Sequence, residues 1–309
     1  MHLKNTFCSP LPILPLTGVF SMNPCSSAEW SWQGTPISLA MDEAGQGQTV
    51  LLLPALSSIS TRSEMWPLLE VLSARFRAVT VDWPGFGDRP RPRIDWTPDI
   101  LSGFLDWLLR EILPAPYAIV SAGHAATYAL YHLVRHAGAT HHLALIAPTW
   151  RGPFPTMMGG QRPWFSKVRA VVDAPLIGSA LYRLNLSGPV VRKMVGEHVY
   201  SDLAWLTPDR ALTKRRVTTA GGARHASVRF VTGGLDRILD RASFIELART
   251  AGVPILLLYG EETPSKSRAE MDALSGVPGI ETVRLRRGKL GIHEEFSDQV
   301  AKEILAFLD

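Results

Sequence analysis

Residues 117–130, with the sequence Tyr-Ala-Ile-Val-Ser-Ala-Gly-His-Ala-Ala-Thr-Tyr-Ala-Leu, constrain the fold more than any other segment. The apolar residues at 117–120 predict a buried strand, and the apolar spacing after position 125 predicts an amphipathic helix. Gly123 lies between them, where a sharp turn has to join the strand to the helix. A strand that leads directly into a helix in this way is typical of a parallel sheet with helices on both faces.

The rest of the chain repeats this alternation at short spacing. Strands are predicted at 30–41, 49–53, 78–81, 117–120, 142–146, 253–259 and 281–285, and helices at 66–76, 100–112, 125–136, 242–250 and 298–308. The fold class is therefore α/β, with a mostly parallel central sheet flanked by helices.

The alternation stops between the strand at 142–146 and the helix at 242–250. Residues 150–232 mix helical stretches with Pro and Gly breaks and contain many aromatic side chains. We expect this segment to be an insertion after the sixth strand, within one domain at 26–309. Residues 1–25 are predicted to be a flexible extension, because three prolines interrupt its apolar run and argue against a signal peptide.

Composition excludes several classes of function. The 309-residue chain is 46% hydrophobic and 19% charged, which suits a large core and argues against disorder. The net charge is +4, and the basic run at 214–216 is interpreted as solvated surface, since no nucleic-acid-binding motif accompanies it. No apolar run reaches about 18 residues, so no membrane span is expected. Both cysteines, Cys8 and Cys25, precede the predicted domain, which indicates a reducing, cytoplasmic compartment.

Three blocks, in the correct order, resemble the α/β-hydrolase superfamily, in the capped branch that includes haloalkane dehalogenases and esterases. Residues 50–56, Val-Leu-Leu-Leu-Pro-Ala-Leu, resemble its strand and oxyanion loop, and residues 81–88, Val-Asp-Trp-Pro-Gly-Phe-Gly-Asp, the loop after the next strand. Residues 121–125, Ser-Ala-Gly-His-Ala, stand where that family has the nucleophile elbow Gly-x-Ser-x-Gly. The resemblance spans roughly residues 30–308 and implies that 150–232 forms a helical cap over the site.

The resemblance also implies that the usual Ser-Asp-His triad is missing. Gly123 occupies the nucleophile position, and Thr263 occupies the acid position, with Glu262 one residue early. The position of the family's histidine falls at 290 or 291. His293 lies two or three residues later, where it could reach the site only if the loop is reshaped.

The backbone amides of an oxyanion hole do not depend on the side chains of the triad. By the family's pattern, the oxyanion hole would use the amide of His124 and an amide of the 55–56 region, beside a helix N-terminus. Leu56, Gly123 and His124, with Trp150 and Trp164 from the expected cap, are therefore the candidate ligand-binding residues. Neither a metal nor a cofactor is predicted.

Two functions fit these residues. Loss of a serine nucleophile costs on the order of 10⁶ in rate, which excludes ester hydrolysis by the standard route. The first hypothesis is a non-catalytic protein that binds a small apolar or carbonyl-bearing ligand, or a partner. The second is an atypical hydrolase or lyase for a carbonyl or ester compound, with His293 or His124 as general base. A cavity at Gly123 that His293 or Glu262 faces would favour the enzyme. The sequence leaves the oligomeric state open.

Overall fold

A computed structural model describes residues 23–309, with side chains described from Ser27 onward. Eight strands are present: β1 (Asn23–Trp32), β2 (Thr35–Ala44), β3 (Thr49–Leu53), β4 (Arg77–Val81), β5 (Ala118–Ala122), β6 (His142–Ile146), β7 (Ile255–Gly260) and β8 (Ile280–Leu285). They form one sheet in the order β1-β2-β4-β3-β5-β6-β7-β8.

The helices of the described chain flank this sheet or follow β6. They are α1 (Trp66–Leu72), α2 (Pro98–Trp107), α3 (Ala125–Arg135), α4 (Pro153–Met158), α5 (Phe165–Asp173), α6 (Ile177–Asn185), α7 (Gly188–His198), α8 (Pro208–Thr219), α9 (Ala223–Val231), α10 (Arg241–Thr250), α11 (Ser265–Ser275), α12 (Ile292–Glu295) and α13 (Ser297–Leu308). A π-helical turn, Leu108–Ile112, extends α2, and short 3-10 turns span Arg62–Met65 and Leu203–Trp205.

Strand direction places the loops that follow the parallel strands at one edge of the sheet. β1 pairs antiparallel with β2, and β2 with β4, whereas every pair from β4 to β8 along the sheet is parallel. β5 is buried along its whole length, as expected for a central strand covered on both faces. The carboxyl ends of the parallel strands therefore meet at a common edge, where ligands bind in open α/β sheets.

The predicted fold class and most predicted elements are confirmed, and two features were not foreseen. The strand predicted at 30–41 is wrong: β1 and β2 form a hairpin there, and Gln33 and Gly34 turn the chain with φ of 48° and 81°. Helix α11 was not predicted, since residues 265–275 carry few apolar side chains.

Helices α4 to α9, residues 153–231, lie between β6 and α10 and are called the helical segment below. Of the extension predicted at 1–25, residues 1–22 lie outside the described residues, and 23–25 begin β1. Within residues 23–309, no helix combines the length and the apolar character that a bilayer crossing requires.

Candidate functional site

Gly123 forms the turn between β5 and α3. Its φ is +53°, in the left-handed region that L side chains rarely adopt, and its amide donates to the Ile146 carbonyl at 2.9 Å. A Cβ atom added at this position would lie 3.1 Å from the Cβ of Ala55. Glycine therefore satisfies both the backbone conformation and the close approach of the loop after β3.

A small cavity opens at this turn and is called the elbow cavity. Its volume is about 100 Å³, which is enough to hold water molecules. The sheet contributes the loop after β3 and the turn after β5, and the helical segment contributes Val199, Lys214 and Phe230. The remaining walls come from the Arg62–Met65 turn and from the start of α12. Its lining residues are Ala55, Leu56, Ser57, Ile59, Ser60, Glu64, Gly123, His124, Thr149, Val199, Lys214, Phe230, Leu290, Gly291, His293 and Glu294.

Glu64 reaches the cavity because Asp82 fixes the turn that carries it. Asp82 follows β4 and accepts hydrogen bonds from the Thr61 hydroxyl at 2.8 Å and from the Arg62 amide at 2.7 Å. Glu64 follows in the same turn and is 3% exposed. Its Oε1 accepts a hydrogen bond from the Ala55 amide. One backbone donor that the sequence suggested for an oxyanion hole is therefore already engaged.

His293 reaches the cavity because the loop after β8 is bound to the helical segment. The Leu290 amide donates to the His198 carbonyl at 3.2 Å, and the Gly291 amide donates to the Val199 carbonyl at 2.8 Å. The chain then turns into α12, which places His293 against the cavity with 2% of its surface exposed. The loop is therefore shaped so that His293 reaches the cavity at Gly123.

His293 and Glu64 face each other inside the cavity. The Nε2 atom of His293 lies 3.5 Å from Oε1 of Glu64, and neither ring nitrogen has a hydrogen-bond partner among residues 23–309. Burial alone would raise the pKa of Glu64, but His293, Lys214 and the Ala55 amide outweigh it and hold this pKa below its ordinary value. Glu64 is therefore an ionised carboxylate that faces an imidazole at 3.5 Å without a hydrogen bond.

Lys214 supplies a buried cation beside this pair. Its Nζ donates to both carboxylate oxygens of Glu294, at 3.0 and 3.2 Å, and lies 3.9 Å from Glu64. Glu294 also accepts a hydrogen bond from the Tyr200 hydroxyl at 2.8 Å. Burial alone would lower the pKa of Lys214, but the two carboxylates and Tyr200 raise it above its ordinary value. The interpretation of 214–216 as solvated surface is therefore wrong for Lys214, which is 5% exposed.

His124 lines the same cavity but is a poor base. It is 1% exposed, and its Nε2 lies 3.2 Å from the Leu235 carbonyl, so the Nε2–H tautomer donates there. Burial lowers the pKa of His124 to about 4. Asp236 lies 3.6 Å away, accepts from the Gly152 amide at 2.8 Å, and has a pKa raised by burial to about 7. At neutral pH His124 is therefore a neutral ring with an unpaired Nδ1.

The other candidate residues from the sequence are not brought to the elbow cavity. Glu262 is largely exposed and accepts from the Gly288 amide at 3.2 Å. Trp150 is buried but donates to Glu270 at 3.0 Å, away from the cavity. Trp164 is 42% exposed on the helical segment. Of the seven candidates, Leu56, Gly123, His124 and His293 share the cavity, whereas Glu262 and the two tryptophans lie elsewhere.

Sequence reasoning missed Glu64 and Lys214 as parts of the site. Thr61 and Glu64 have the spacing of a helix capping box, which suggests a purely local role for the carboxylate. Lys214 stands in a basic run that favours a surface interpretation. The only signal for either is the contact between distant parts of the chain, and a single sequence does not carry it.

Two groups of described residues have the spacing of metal ligands. In the cavity, donor atoms of Glu64, His293 and Glu294 lie within 4.8 Å of one another. The ammonium of Lys214, which contacts both carboxylates, already supplies a cation there, so this donor set does not fit a metal ion while Lys214 is charged.

The second group, Asp106, His132 and His136, joins α2 and α3 away from the elbow cavity. Asp106 binds His132 Nδ1 at 2.6 Å and Arg135 at 3.2 Å, so its carboxylate is already neutralised by protein donors. This arrangement is accounted for as an inter-helix contact.

Comparison with known proteins identifies the family. Residues 50–303 match the alpha/beta hydrolase family, and the chain belongs to it. No curated protein matches the chain.

Solved structures show the same fold at low sequence identity. A thermophilic esterase from Thermogutta terrifontis aligns with a TM-score of 0.70 and 17% identity, over 91% of this chain and 97% of the esterase. A bromoperoxidase from Bacillus anthracis gives 0.68 and 14%, over 92% and 99% of the two chains. An enol-lactonase from Burkholderia xenovorans LB400 gives 0.67 and 17%, over 91% and 99%. Identity at this level supports the shared fold alone.

Proposed function

We propose that this chain is an atypical enzyme of the alpha/beta hydrolase family, which hydrolyses a small carbonyl or ester compound without a covalent intermediate. His293 is the general base, and the helical segment is the cap over the site. One observation carries the proposal: His293 is buried in the same cavity as Gly123, with Glu64 3.5 Å away and neither ring nitrogen hydrogen-bonded within residues 23–309. Buried histidines beside a carboxylate are suited to moving protons.

The proton follows a short route in this proposal. A water in the elbow cavity gives a proton to His293 as its oxygen bonds to the substrate's carbonyl carbon. The carbonyl oxygen takes the electron pair and accepts hydrogen bonds from the backbone amides of Leu56 and His124. When the tetrahedral intermediate collapses, the bond to the leaving group breaks, and the leaving group takes the proton from His293.

Glu64 and Lys214 are positioning residues for this step. Glu64, whose Oε1 lies 3.5 Å from Nε2 of His293, balances the positive charge that His293 acquires. Lys214 places an ammonium 3.0–3.9 Å from both carboxylates, and its charge helps to hold the pKa of Glu64 below its ordinary value. Gly123 leaves room for the water at the point where a serine would otherwise stand.

Turnover of a panel of short esters, lactones and 1,3-diketones, followed by NMR, tests the proposal. The expected rate is modest, because general-base catalysis contributes about 10²–10⁴. A substrate that turns over should lose at least about 100-fold in kcat/KM with His293→Gln. It should also show no pre-steady-state burst and no covalent adduct in the intact mass of the protein.

His198→Gln is the matched control, since His198 is exposed and its side chain lies outside the cavity lining. It should leave turnover unchanged. Turnover that survives His293→Gln, or a covalent adduct formed during turnover, would contradict the proposal.

A second candidate, a non-catalytic ligand-binding protein, is favoured by one observation. Glu64 occupies the Ala55 amide, so part of the loop that could stabilise an oxyanion is engaged by the protein itself. If compounds of the panel bind in the cavity and none is converted, this candidate replaces the enzyme.

A further inference from the structure

A second cavity, here called the outer cavity, lies within the helical segment. Its volume is about 1040 Å³, ten times that of the elbow cavity, and it is formed by α6 to α9 and the chain between them. Ligand pockets in proteins typically measure about 300–1,000 Å³, so it is large enough for a whole organic molecule. Lys214 lines both cavities.

The charged residues that line the outer cavity are all cationic. Its lining contains five cationic residues and no Asp or Glu: Arg183, Arg192, Lys214, Arg215 and Arg224. Glu294 neutralises Lys214. No salt bridge joins any of the four arginines to a carboxylate within the described part of the chain.

One of these arginines keeps an unused donor. The Nε of Arg224 is buried and has no hydrogen-bond partner among residues 23–309, while its Nη1 donates to the Ser179 hydroxyl at 2.7 Å. A buried donor without a partner costs free energy, which an accepting ligand would recover.

The part of the chain that contains the helical segment also has a positive net charge. Between residues 150 and 232 there are thirteen Lys and Arg against four Asp and Glu, a formal charge of +9 in a chain whose total is +4. The rest of the chain is therefore acidic in sum, and the positive charge is concentrated in the segment whose helices form the outer cavity. A concave surface of one sign attracts ligands of the opposite charge.

The remaining lining suits an organic ligand rather than a bare ion. Leu186, Val191, Leu206 and Leu212 contribute apolar surface, and Tyr182 adds an aromatic ring. Arginine binds carboxylates and phosphates through paired N–H donors. An apolar wall with unpaired arginines fits a molecule with a short apolar body and one anionic end.

We propose that the outer cavity binds the carboxylate or phosphate end of an amphipathic organic anion, whose reacting carbonyl extends past Lys214 into the elbow cavity. The entry of the carbonyl into the elbow cavity rests on the proposed function, whereas the binding of the anionic end in the outer cavity does not depend on it.

Isothermal titration in the His293→Gln background tests the binding, because that variant cannot turn the ligand over by the proposed route. The probes are octanoate and octyl phosphate, which separate a carboxylate from a phosphate preference, with octanol as the neutral probe of equal chain length. At least one anion should bind, octanol should bind at least about tenfold more weakly, and added salt should weaken the anion.

Variants locate the site. Arg183→Gln with Arg215→Gln should weaken the bound anion about tenfold or more, because two charge-assisted contacts are lost. Arg216→Gln, which removes one positive charge at the next residue of α8 and outside the cavity lining, should leave Kd within twofold.

Several results would overturn the inference. These are equal binding of octanol, no binding of either anion below millimolar concentration, an equal effect of Arg216→Gln, or binding to vesicles that contain anionic lipid but not to the free probes. Failure of the proposed function looks different: the anion binds with the expected variant pattern, while wild type converts no carbonyl compound.

Discussion

Removal of the Lys214 ammonium should strongly destabilise the protein. At 3.0 Å from Glu294 and an effective dielectric constant of about 20, the pair attracts by roughly 5 kcal/mol before desolvation is counted. Lys214→Met leaves Glu294 and Glu64 as buried like charges with little compensation. Breaking a buried pair from one side typically costs about 3–5 kcal/mol, and we expect a loss in this range.

Urea unfolding, followed by tryptophan fluorescence and by circular dichroism, measures this loss as a change in the free energy of unfolding. The Glu294→Gln variant should also be destabilised. The double variant, Lys214→Met with Glu294→Gln, should lose less than the sum of the two single losses by about 1.5 kcal/mol or more, because each substitution removes the partner that the other leaves uncompensated.

Arg216→Met is the control for the loss of a cation from α8. Arg216 is exposed and should change the free energy of unfolding by no more than about 0.5 kcal/mol. A loss below about 1 kcal/mol for Lys214→Met, or additive losses in the double variant, would refute the assignment of Lys214 as the buried counter-charge of this site.

Two further perturbations probe the surroundings of the site. Gly123→Ser should lower the free energy of unfolding by about 1–3 kcal/mol, because φ at this position is +53°. The loss should exceed that of Gly138→Ser, where φ is +76° but an added Cβ would have no neighbour within 4 Å. The new serine should produce no burst with p-nitrophenyl acetate. Equal costs, or a burst, would contradict this. Burial in the folded protein raises the pKa of Asp236 from its ordinary 3.8 to about 7. The folded state therefore holds this proton more tightly than the unfolded state, and wild type loses stability as the pH rises between these two values. The free energy of unfolding of Asp236→Asn, relative to that of wild type, should therefore rise from pH 4 to pH 8 by roughly 4 kcal/mol at most. Urea unfolding at each pH measures this difference. A difference that does not change with pH would exclude this ionisation.

Much of the sheet could be predicted because each central strand is a short apolar run bounded by turn residues. β3 and β6 have the predicted bounds, and β5 and β7 differ by at most two residues at either end. The hairpin of β1 and β2 was missed since Gln33 takes a positive φ that a single sequence does not signal. Helix α11 was missed because only one edge of it is buried.

The site could be predicted only in part. The turn at Gly123 follows from local pattern, whereas the amides of Leu56 and His124 are a hypothesis that comes from the family's pattern. Glu64 and Lys214 enter through contacts between distant segments, since Lys214 meets Glu294 across 80 positions of the chain. His293 lies two or three residues beyond the family's position, so the sequence places it at the site only if the loop is reshaped. The pairing of that loop with the helical segment, which shortens the distance, is not encoded locally.

The two backbone hydrogen bonds from Leu290 and Gly291 to residues 198 and 199 tie the position of His293 to the helical segment. If that segment swings away from the sheet, these bonds break, and the imidazole loses the support that holds it near Glu64. Lys214, carried by α8, leaves with the segment. In such an open form the proposed base and its counter-charge would both be out of place, and the two would return together on closure. Amide hydrogen exchange at Leu290 and Gly291 would consequently report on the docking of the helical segment and on the approach of His293 to Glu64 at the same time.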